Sequence, residues 1–249
     1  MCWIAVLFRV NPHYPLIVAA NREESRARPS RAPFRWPGSP TVWAGRDDLA
    51  GGTWLGVNAT GLLAAVTNRP LAPAGDSPDA TRRSRGLLCL DTLRCDSPAS
   101  ARAFFSDELA VRGYNPFNLL CASHAEAWVG TWQGDIRELT PGVHIVSNYG
   151  DVDDDTLPIV REARARIASL DLTSPVIDEL FGSLGSVCAQ TDQPCPLCRV
   201  GGDYGTVSSS LVAVNAGGTV AAYWHAPGAP SESPFTPVNL SPETSQPRT

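Results

Sequence analysis

The sequence contains no lysine, since all 20 of its basic residues are arginine. This absence excludes a lysine nucleophile and the phosphate-binding lysine of a Walker-type loop. No glycine-rich phosphate loop follows a predicted strand either, so nucleotide chemistry has no support. The net charge of −5 and the pI near 5.4 argue against binding to nucleic acid or to a membrane surface.

Long hydrophobic runs are also missing. No apolar stretch approaches the length of a transmembrane helix, so we expect no stable membrane insertion. The opening CWIAVLFRV is interrupted by Arg9 and leads into strand-like sequence, which does not fit a signal peptide. The seven cysteines are an odd number at irregular spacings, as is typical of reduced thiols. We therefore predict a cytoplasmic protein.

The composition and the hydrophobic periodicity predict one α+β domain. Hydrophobic residues form 43% of the 249 residues, enough for a substantial core. Strand-like runs, two helices, further strands, two more helices and final strands follow one another, which is not a βαβ alternation. This order predicts a four-layer αββα sandwich over residues 1–226, followed by a disordered Pro/Ser-rich tail at 227–249. The predicted helices are Arg85–Arg94, Pro98–Arg112, Leu157–Leu170 and Pro175–Leu184, and residues 25–40 are predicted to form an Arg/Pro-rich loop.

Cys2 is the most informative single residue of the chain. We expect Met1 to be removed because cysteine is small, which would leave a residue with both a thiol and a free α-amine. These two groups can act as nucleophile and base within one residue. They titrate near pH ~8.5 and ~8, within reach of neutral pH. The alternative is a buried strand cysteine that acts only as a small hydrophobe.

Five short stretches accompany Cys2, and together they form a specific combination. In chain order they read ANREE (20–24), LAGGTWLGVN (49–58), VTNRP (66–70), VSN (146–148) and YGTVSSS (204–210). With Cys2 they resemble the NRDE family, whose best-known animal member is transport and Golgi organisation protein 2. The resemblance extends from Cys2 to about Trp224. Two positions depart from it: Glu23 replaces the aspartate of the namesake tetrad, and Val207 stands where many relatives have arginine.

The resemblance implies the four-layer fold of the N-terminal nucleophile hydrolases, without a cofactor or metal. In that superfamily the choloylglycine hydrolase and penicillin V acylase branch also starts its mature chain at cysteine. It has an arginine at the end of the second strand and asparagines at the oxyanion site. By this pattern the predicted catalytic residues are Cys2, Arg22, Asn68 and Asn148. The predicted substrate-binding residues are Asn21, Glu23, Glu24 and Trp54, and we expect Glu23 or Glu24 to hold Arg22 in place.

Simpler interpretations of the same residues stay open at this point. Arg22 and its acidic neighbours are also consistent with a solvated ion pair at a strand end. Asn68 and Asn148 both close apolar strands, where asparagine favours turns. The pair Cys195 and Cys198 has CxxC spacing, but a zinc site usually requires a second pair, so a loop with two thiols is the default.

The predicted function is that of a cysteine N-terminal nucleophile hydrolase. It would act on an amide, or a thioester, of a small and partly apolar acyl substrate. The resemblance also supports a non-catalytic carrier of haem or lipid, and the same site would serve a transacylase in which an amine replaces water. The sequence does not determine the substrate or the oligomeric state.

Overall fold

The computed structural model describes residues 2–70 and 78–241. Within these ranges two antiparallel sheets face each other, with two helices against the outer face of each. One sheet has the strand order β10-β1-β2-β11-β12-β13, and the other has the order β3-β4-β5-β6-β7-β8-β9. The elements are β1 Trp3–Phe8, β2 Leu16–Ser25, β3 Ser30–Trp36, β4 Val42–Asp47, β5 Leu55–Asn58, β6 Leu63–Asn68, α1 Arg85–Thr92, α2 Pro98–Val111, β7 Phe117–Ala122, β8 Ala127–Thr131, β9 Ile136–Glu138, β10 Gly142–Ser147, α3 Pro158–Ala168, α4 Ile177–Cys188, β11 Tyr204–Val214, β12 Val220–Ala226 and β13 Thr236–Pro237.

The continuous apolar sequence of β1 follows from burial of both its faces. Ile4 and Val6 point into the core between the two sheets, and Trp3 and Ala5 pack towards α3 and α4. A strand that is covered on both sides is apolar throughout and does not alternate. The N-terminal strand therefore lies inside its sheet, between β10 and β2.

The four predicted helices are confirmed, with ends that differ by a few residues. The second begins at Pro98 behind a capping box in which Ser97 and Ser100 bond reciprocally through side chain and backbone. The pair α1 and α2 covers the second sheet, and the pair α3 and α4 covers the first. The predicted αββα sandwich is thus the observed architecture.

The loop predicted for residues 25–40 is wrong in part. Strand β2 continues to Ser25 because β11 pairs along its whole length, ending at Tyr204 opposite Ser25. Residues 30–36 form β3, the edge strand of the second sheet. Its register with β4 shifts between Arg31 and Phe34, around Pro33. An exposed edge strand with a proline has little hydrophobic periodicity, which explains the error.

The segment after residue 226, predicted to be disordered, is ordered as far as residue 241. Strand β13 pairs with β12, and Val238 and Leu240 pack against the core between the sheets. These two half-buried apolar side chains attach the segment to the core despite its Pro/Ser-rich composition. Residues 242–249 lie outside the described residues. Among the described helices, none has the length and apolar character needed to cross a bilayer.

Candidate active site

Cys2 lies immediately before β1, at the end of an interior strand. The antiparallel register of β1 and β2, with Trp3 opposite Asn21, places Cys2 across from Arg22. On the other side, the backbone N–H of Asn148 donates to the carbonyl oxygen of Cys2 over 3.2 Å. The thiol itself contacts the backbone of Glu23, whose N–H donates to Sγ over 3.2 Å and whose carbonyl oxygen lies 3.4 Å from Sγ.

Two adjoining cavities reach Cys2. A wide cleft of about 490 Å³ opens to solvent, and a small cavity of about 30 Å³ extends between the sheets. Cys2, Arg22 and Trp54 line both of them. Cys2 as a whole residue is half-buried and lines the cleft, so a small molecule in the cleft would lie next to it. The predicted residues that line the wide cleft are Cys2, Arg22, Glu23, Glu24, Trp54 and Asn68.

Arg22 is buried beside the thiol and is held by an aromatic ring. Its guanidinium carbon lies 4.2 Å from the ring centroid of Trp54, and Nη1 donates to the Ser30 hydroxyl over 3.4 Å. The ring of Trp54 and the hydroxyl of Ser30 thus contact Arg22, and the charge of Glu24 acts on it. The predicted role of Glu23 or Glu24 in holding Arg22 stays a prediction. Burial lowers the pKa of Arg22, and the charges of Glu24 and Cys2 oppose that shift.

The environment of Cys2 raises the pKa of its thiol. Burial raises its pKa, the positive charge of Arg22 lowers it, and the charge of Glu24 raises it; the net shift is upward. A thiol of this kind needs a base at the moment of attack, since the thiolate is the nucleophile.

Asn21 points away from the cleft, although it lines the small cavity. Its side-chain amide donates to the carbonyl oxygens of Cys188 and Leu197, both over 2.8 Å. The Trp3 indole donates to the same Leu197 oxygen over 2.9 Å. Asn21 therefore ties the strand that carries Arg22 to the end of α4 and the loop that follows. Its predicted contact with substrate stays a prediction.

The two candidate oxyanion residues differ in position. Asn68 ends β6 and is exposed on the cleft wall. Asn148 follows β10, is half-buried beside Cys2 and does not line either cavity. Its Oδ1 is buried without a hydrogen-bond partner in the part of the chain that the structure describes. The structure brings both residues to the end of the sheets where Cys2 lies.

Sequence reasoning missed the cleft wall formed by residues 82–86. This segment contributes Arg82, Arg83 and Arg85 to the lining and leads into α1. Arg28 and Asp47 form another part of the wall and pair over 2.7 Å. The basic run Arg82-Arg83-Ser84-Arg85 could have indicated the first part of the wall. No feature of the sequence indicates that Arg28 pairs with Asp47.

The pair Cys195 and Cys198 lies outside the two cavities that reach Cys2. Cys195 is half-buried and Cys198 is buried, and both line a separate cavity. The Cys198 sulfur lies 3.5 Å from the Ser231 hydroxyl oxygen. Each of the seven cysteines is a free thiol.

A four-layer αββα sandwich with a cysteine at the start of an interior strand is the architecture of N-terminal nucleophile hydrolases. An N-acylethanolamine-hydrolyzing acid amidase ortholog from Caenorhabditis elegans superposes with a TM-score of 0.56 at 11% identity, over 84% of this chain and 92% of that one. Two variants of the conjugated bile acid hydrolase from Clostridium perfringens give TM-scores of 0.55 and 0.57 at 11% and 10% identity, over 98% of this chain and 94% of theirs. At this identity the similarity establishes the fold alone.

The family follows from sequence comparison. The model of the Transport and Golgi organisation 2 family matches residues 1–224, and the chain belongs to this family. The mouse and human Transport and Golgi organization 2 homologs are each 35% identical over 164 residues. The match covers 59% of this chain and 57% of each homolog, so the chain spans little more than half the length of these relatives.

Proposed function

We propose that this protein is a cysteine N-terminal nucleophile hydrolase that cleaves an amide, or a thioester, of a small and partly apolar acyl substrate. The observation that carries the proposal is the position of Cys2. It lies where a solvent-open cleft meets an inner cavity, beside the buried guanidinium of Arg22. A cysteine with a purely structural role requires neither an adjoining cleft nor a neighbouring cation.

In the proposed reaction the Cys2 sulfur attacks the substrate carbonyl carbon while the thiol proton moves to the α-amine of Cys2, once Met1 has been removed. The C–S bond forms, and the leaving amine departs with that proton. Water then attacks the thioester and gives a proton to the α-amine. The C–S bond breaks, the carboxylic acid leaves, and this proton passes to the sulfur. Because burial raises the pKa of the thiol, the amine is needed as base.

Four further residues have proposed roles in this reaction. Asn68 and Asn148 would donate N–H groups to the oxyanion, and one such donor is worth about 2.7–4 kcal/mol in a protease. Arg22 would stabilise the developing thiolate through its charge. The Trp54 ring, which lines the cleft, would contact the apolar part of the acyl group.

The test is covalent labelling of the purified protein with an acylating probe, read by intact-protein mass spectrometry. We expect one acyl adduct on a chain that has lost Met1, and no adduct on Cys2→Ala. Cys195→Ala removes another half-buried thiol and serves as the matched control, which should be labelled like the parent. Retention of Met1 in the isolated protein would falsify the mechanism.

The carrier alternative predicts a different result. Haemin added to the protein would then give a Soret band that is the same in Cys2→Ala, and Cys2 would not be acylated. An added amine that intercepts the acyl group, measured against water as acceptor, separates a transacylase from a hydrolase.

A further inference from the structure

Five arginines line the wide cleft, and three of them are already paired with carboxylates. Arg28 bonds Asp47 over 2.7 Å, Arg82 contacts Asp79 over 3.3 Å, and Arg83 contacts both Asp91 and Glu108. These three charges are neutralised within the protein. They therefore leave little attraction for a ligand.

The remaining two arginines, Arg22 and Arg85, differ from these three in their partners. Among the described residues, no carboxylate oxygen lies within the 4.0 Å ion-pair distance of Arg22 or Arg85. Arg22 has the Trp54 ring and the Ser30 hydroxyl. Arg85 donates to the backbone carbonyl of Pro116 over 3.0 Å, which uses one of its five N–H groups. Its other donors remain for a ligand in the cleft.

Burial without a carboxylate at ion-pair distance is unfavourable for both groups, although the charge of Glu24 acts on each of them. It lowers the pKa of Arg85, and the neighbouring positive charge of Arg28 adds to that effect while Glu24 opposes it. The same cause lowers the pKa of Arg22. An anion bound between them would compensate the buried charge, because paired charges are tolerated where single ones are not.

Arg85 is also rigidly placed. It is the first residue of α1, behind the N-cap Ser84, whose hydroxyl accepts from the Gly86 N–H. The Gly86 carbonyl in turn accepts from the Thr53 N–H over 3.0 Å, which fixes the start of the helix to the segment before β5. The positive end of the helix dipole adds to the charge of Arg85 at the cleft wall.

The rest of the cleft is suited to an apolar chain. Leu49 is 69% exposed on its wall, and Trp54 and Val66 contribute further apolar surface. A cleft of about 490 Å³ is the size of a small-molecule site. A ligand that places an apolar chain against Leu49 and a planar anion against Arg85 would use both features, since the guanidinium fork matches a carboxylate.

We infer that the substrate of this site carries a carboxylate, and that Arg85 is the residue that binds it. This inference rests on the proposed function, because it names the class of molecule presented to Cys2. It sets a specificity for the cleft that neither the thiol nor the oxyanion residues would provide.

The experiment measures binding of unreactive probes to the Cys2→Ala protein by titration calorimetry. Decanoate, decanamide and decyl phosphate share one chain length and differ in the head group. We expect decanoate to bind at least tenfold more tightly than decanamide, the effect of a charge-assisted hydrogen bond. Arg85→Gln should remove this preference, and Arg85→Lys should retain part of it.

Arg82→Gln is the matched control, because it removes a cation of the same cleft that already has a partner. With this change the preference for decanoate over decanamide should stay within about twofold of that of the protein with Arg82, as expected for an exposed ion pair. Thermal melts of each variant establish that it folds. Equal affinity for decanoate and decanamide, or equal losses in Arg82→Gln and Arg85→Gln, would overturn the inference. Tighter binding of decyl phosphate than of decanoate would overturn the assignment to a carboxylate.

The two proposals fail separately. Probe binding to Cys2→Ala requires no chemistry, so a missing preference for decanoate leaves acylation of Cys2 unaffected. Conversely, Arg85-dependent binding of decanoate to a protein whose Cys2 is never acylated would overturn the hydrolase proposal and not the carboxylate site.

Discussion

The guanidinium of Arg22 lies over the indole of Trp54, 4.2 Å from the ring centroid. This contact connects the two sheets at the site, because Arg22 belongs to β2 and Trp54 directly precedes β5. A cation over an indole face contributes about 0.5–2 kcal/mol, more when water is excluded. The contact places the positive charge beside the Cys2 thiol, where that charge lowers the pKa of the thiol.

Replacement of Arg22 tests its electrostatic role. In Arg22→Gln the thiol of Cys2 loses the cation that lowers its pKa, so the pKa should rise further. We expect alkylation of Cys2 by iodoacetamide at pH 7.5 to slow by about tenfold, the effect of one nearby charge. The rate profile from pH 6 to 10 should move to higher pH.

Arg102→Gln serves as the control for that change. Arg102 is an exposed arginine paired with Glu138 and lies outside the Cys2 cleft. Its loss should leave the alkylation profile unchanged. An Arg22→Gln profile that coincides with that of the parent would mean that the guanidinium does not act on the thiol.

A substitution on β4 tests the role of the Trp54 ring as a platform. A Cβ at Gly45 would lie 2.5 Å from Cη2 of Trp54 and 2.9 Å from the Arg31 carbonyl oxygen, so the ring must move. We expect Gly45→Ala to destabilise the protein by about 1–3 kcal/mol. Acylation of Cys2 should slow as well, because Arg22 loses its support.

The matched glycine change is Gly182→Ala in α4, where an added Cβ meets no atom within 4 Å. Alanine in a helix is favoured over glycine by about 1 kcal/mol, so this variant should be as stable as the parent or more stable. Urea unfolding and the acylation rate are measured on both variants. Unchanged acylation in Gly45→Ala would show that Trp54 does not position Arg22.

Asn21 provides a test of structural against functional roles. Asn21→Ala removes two buried hydrogen bonds and leaves the carbonyl oxygens of Cys188 and Leu197 with fewer donors. We expect a loss of about 2–4 kcal/mol in the free energy of unfolding, measured in urea. Affinity for the decanoate probe should be retained at a temperature where the variant is folded. Weaker probe binding with normal stability would instead support the predicted contact with substrate.

Acid should destabilise the protein through His225. This histidine is buried between the sheets with Nδ1 3.2 Å from the Ser210 hydroxyl oxygen, and burial lowers its pKa to about 4. In the unfolded chain the pKa is about 6.5, so below that pH the unfolded state binds more protons. Stability from this group is complete above pH ~6.5 and declines as pH falls towards about 4.

The measurement is urea unfolding at pH 7 and pH 5. Between pH 7 and pH 5, His225 should lower the free energy of unfolding of the parent by about 2 kcal/mol. The His225→Asn variant should not show this part of the loss. His13→Asn, a change at an exposed histidine, should lose as much as the parent does. Equal acid sensitivity of the His225→Asn variant and the parent would contradict the assignment.

Much of the fold was predictable because its periodicities are local. The helical spacing after Ser97 and the apolar run that follows Cys2 both reflect contacts with nearby residues or with a continuous core. The edge strand at residues 30–36 was not predictable, since its pairing with β4 is established by backbone hydrogen bonds that leave little trace in side chains. The order of the tail to residue 241 depends on Val238 and Leu240 reaching a core built by distant strands.

Asparagines illustrate the same division within the site. Asn58 lies in the turn after β5, where its side-chain oxygen accepts from the N–H groups of Thr60 and Leu62, and its amide N–H groups donate to the distant carbonyls of Leu93 and Cys95. Asn21 was interpreted as a site residue, and its partners Cys188 and Leu197 are 167 and 176 residues away. A side-chain role that depends on hydrogen bonds to residues within four positions can be predicted from sequence. A role that depends on partners far along the chain cannot.

The sequence by itself determined the layered fold, the family resemblance and the place of Cys2 at the start of an apolar strand with Arg22 on the next one. Only the tertiary structure decided that Cys2 lines a cleft and that Trp54 contacts Arg22. It also decided that Arg28, Arg82 and Arg83 are paired, whereas Arg85 has no carboxylate partner among residues 2–70 and 78–241. The physical reason is that ion pairing depends on distances of a few ångströms between side chains far apart in the chain. Those distances are established by packing of the sheets and helices.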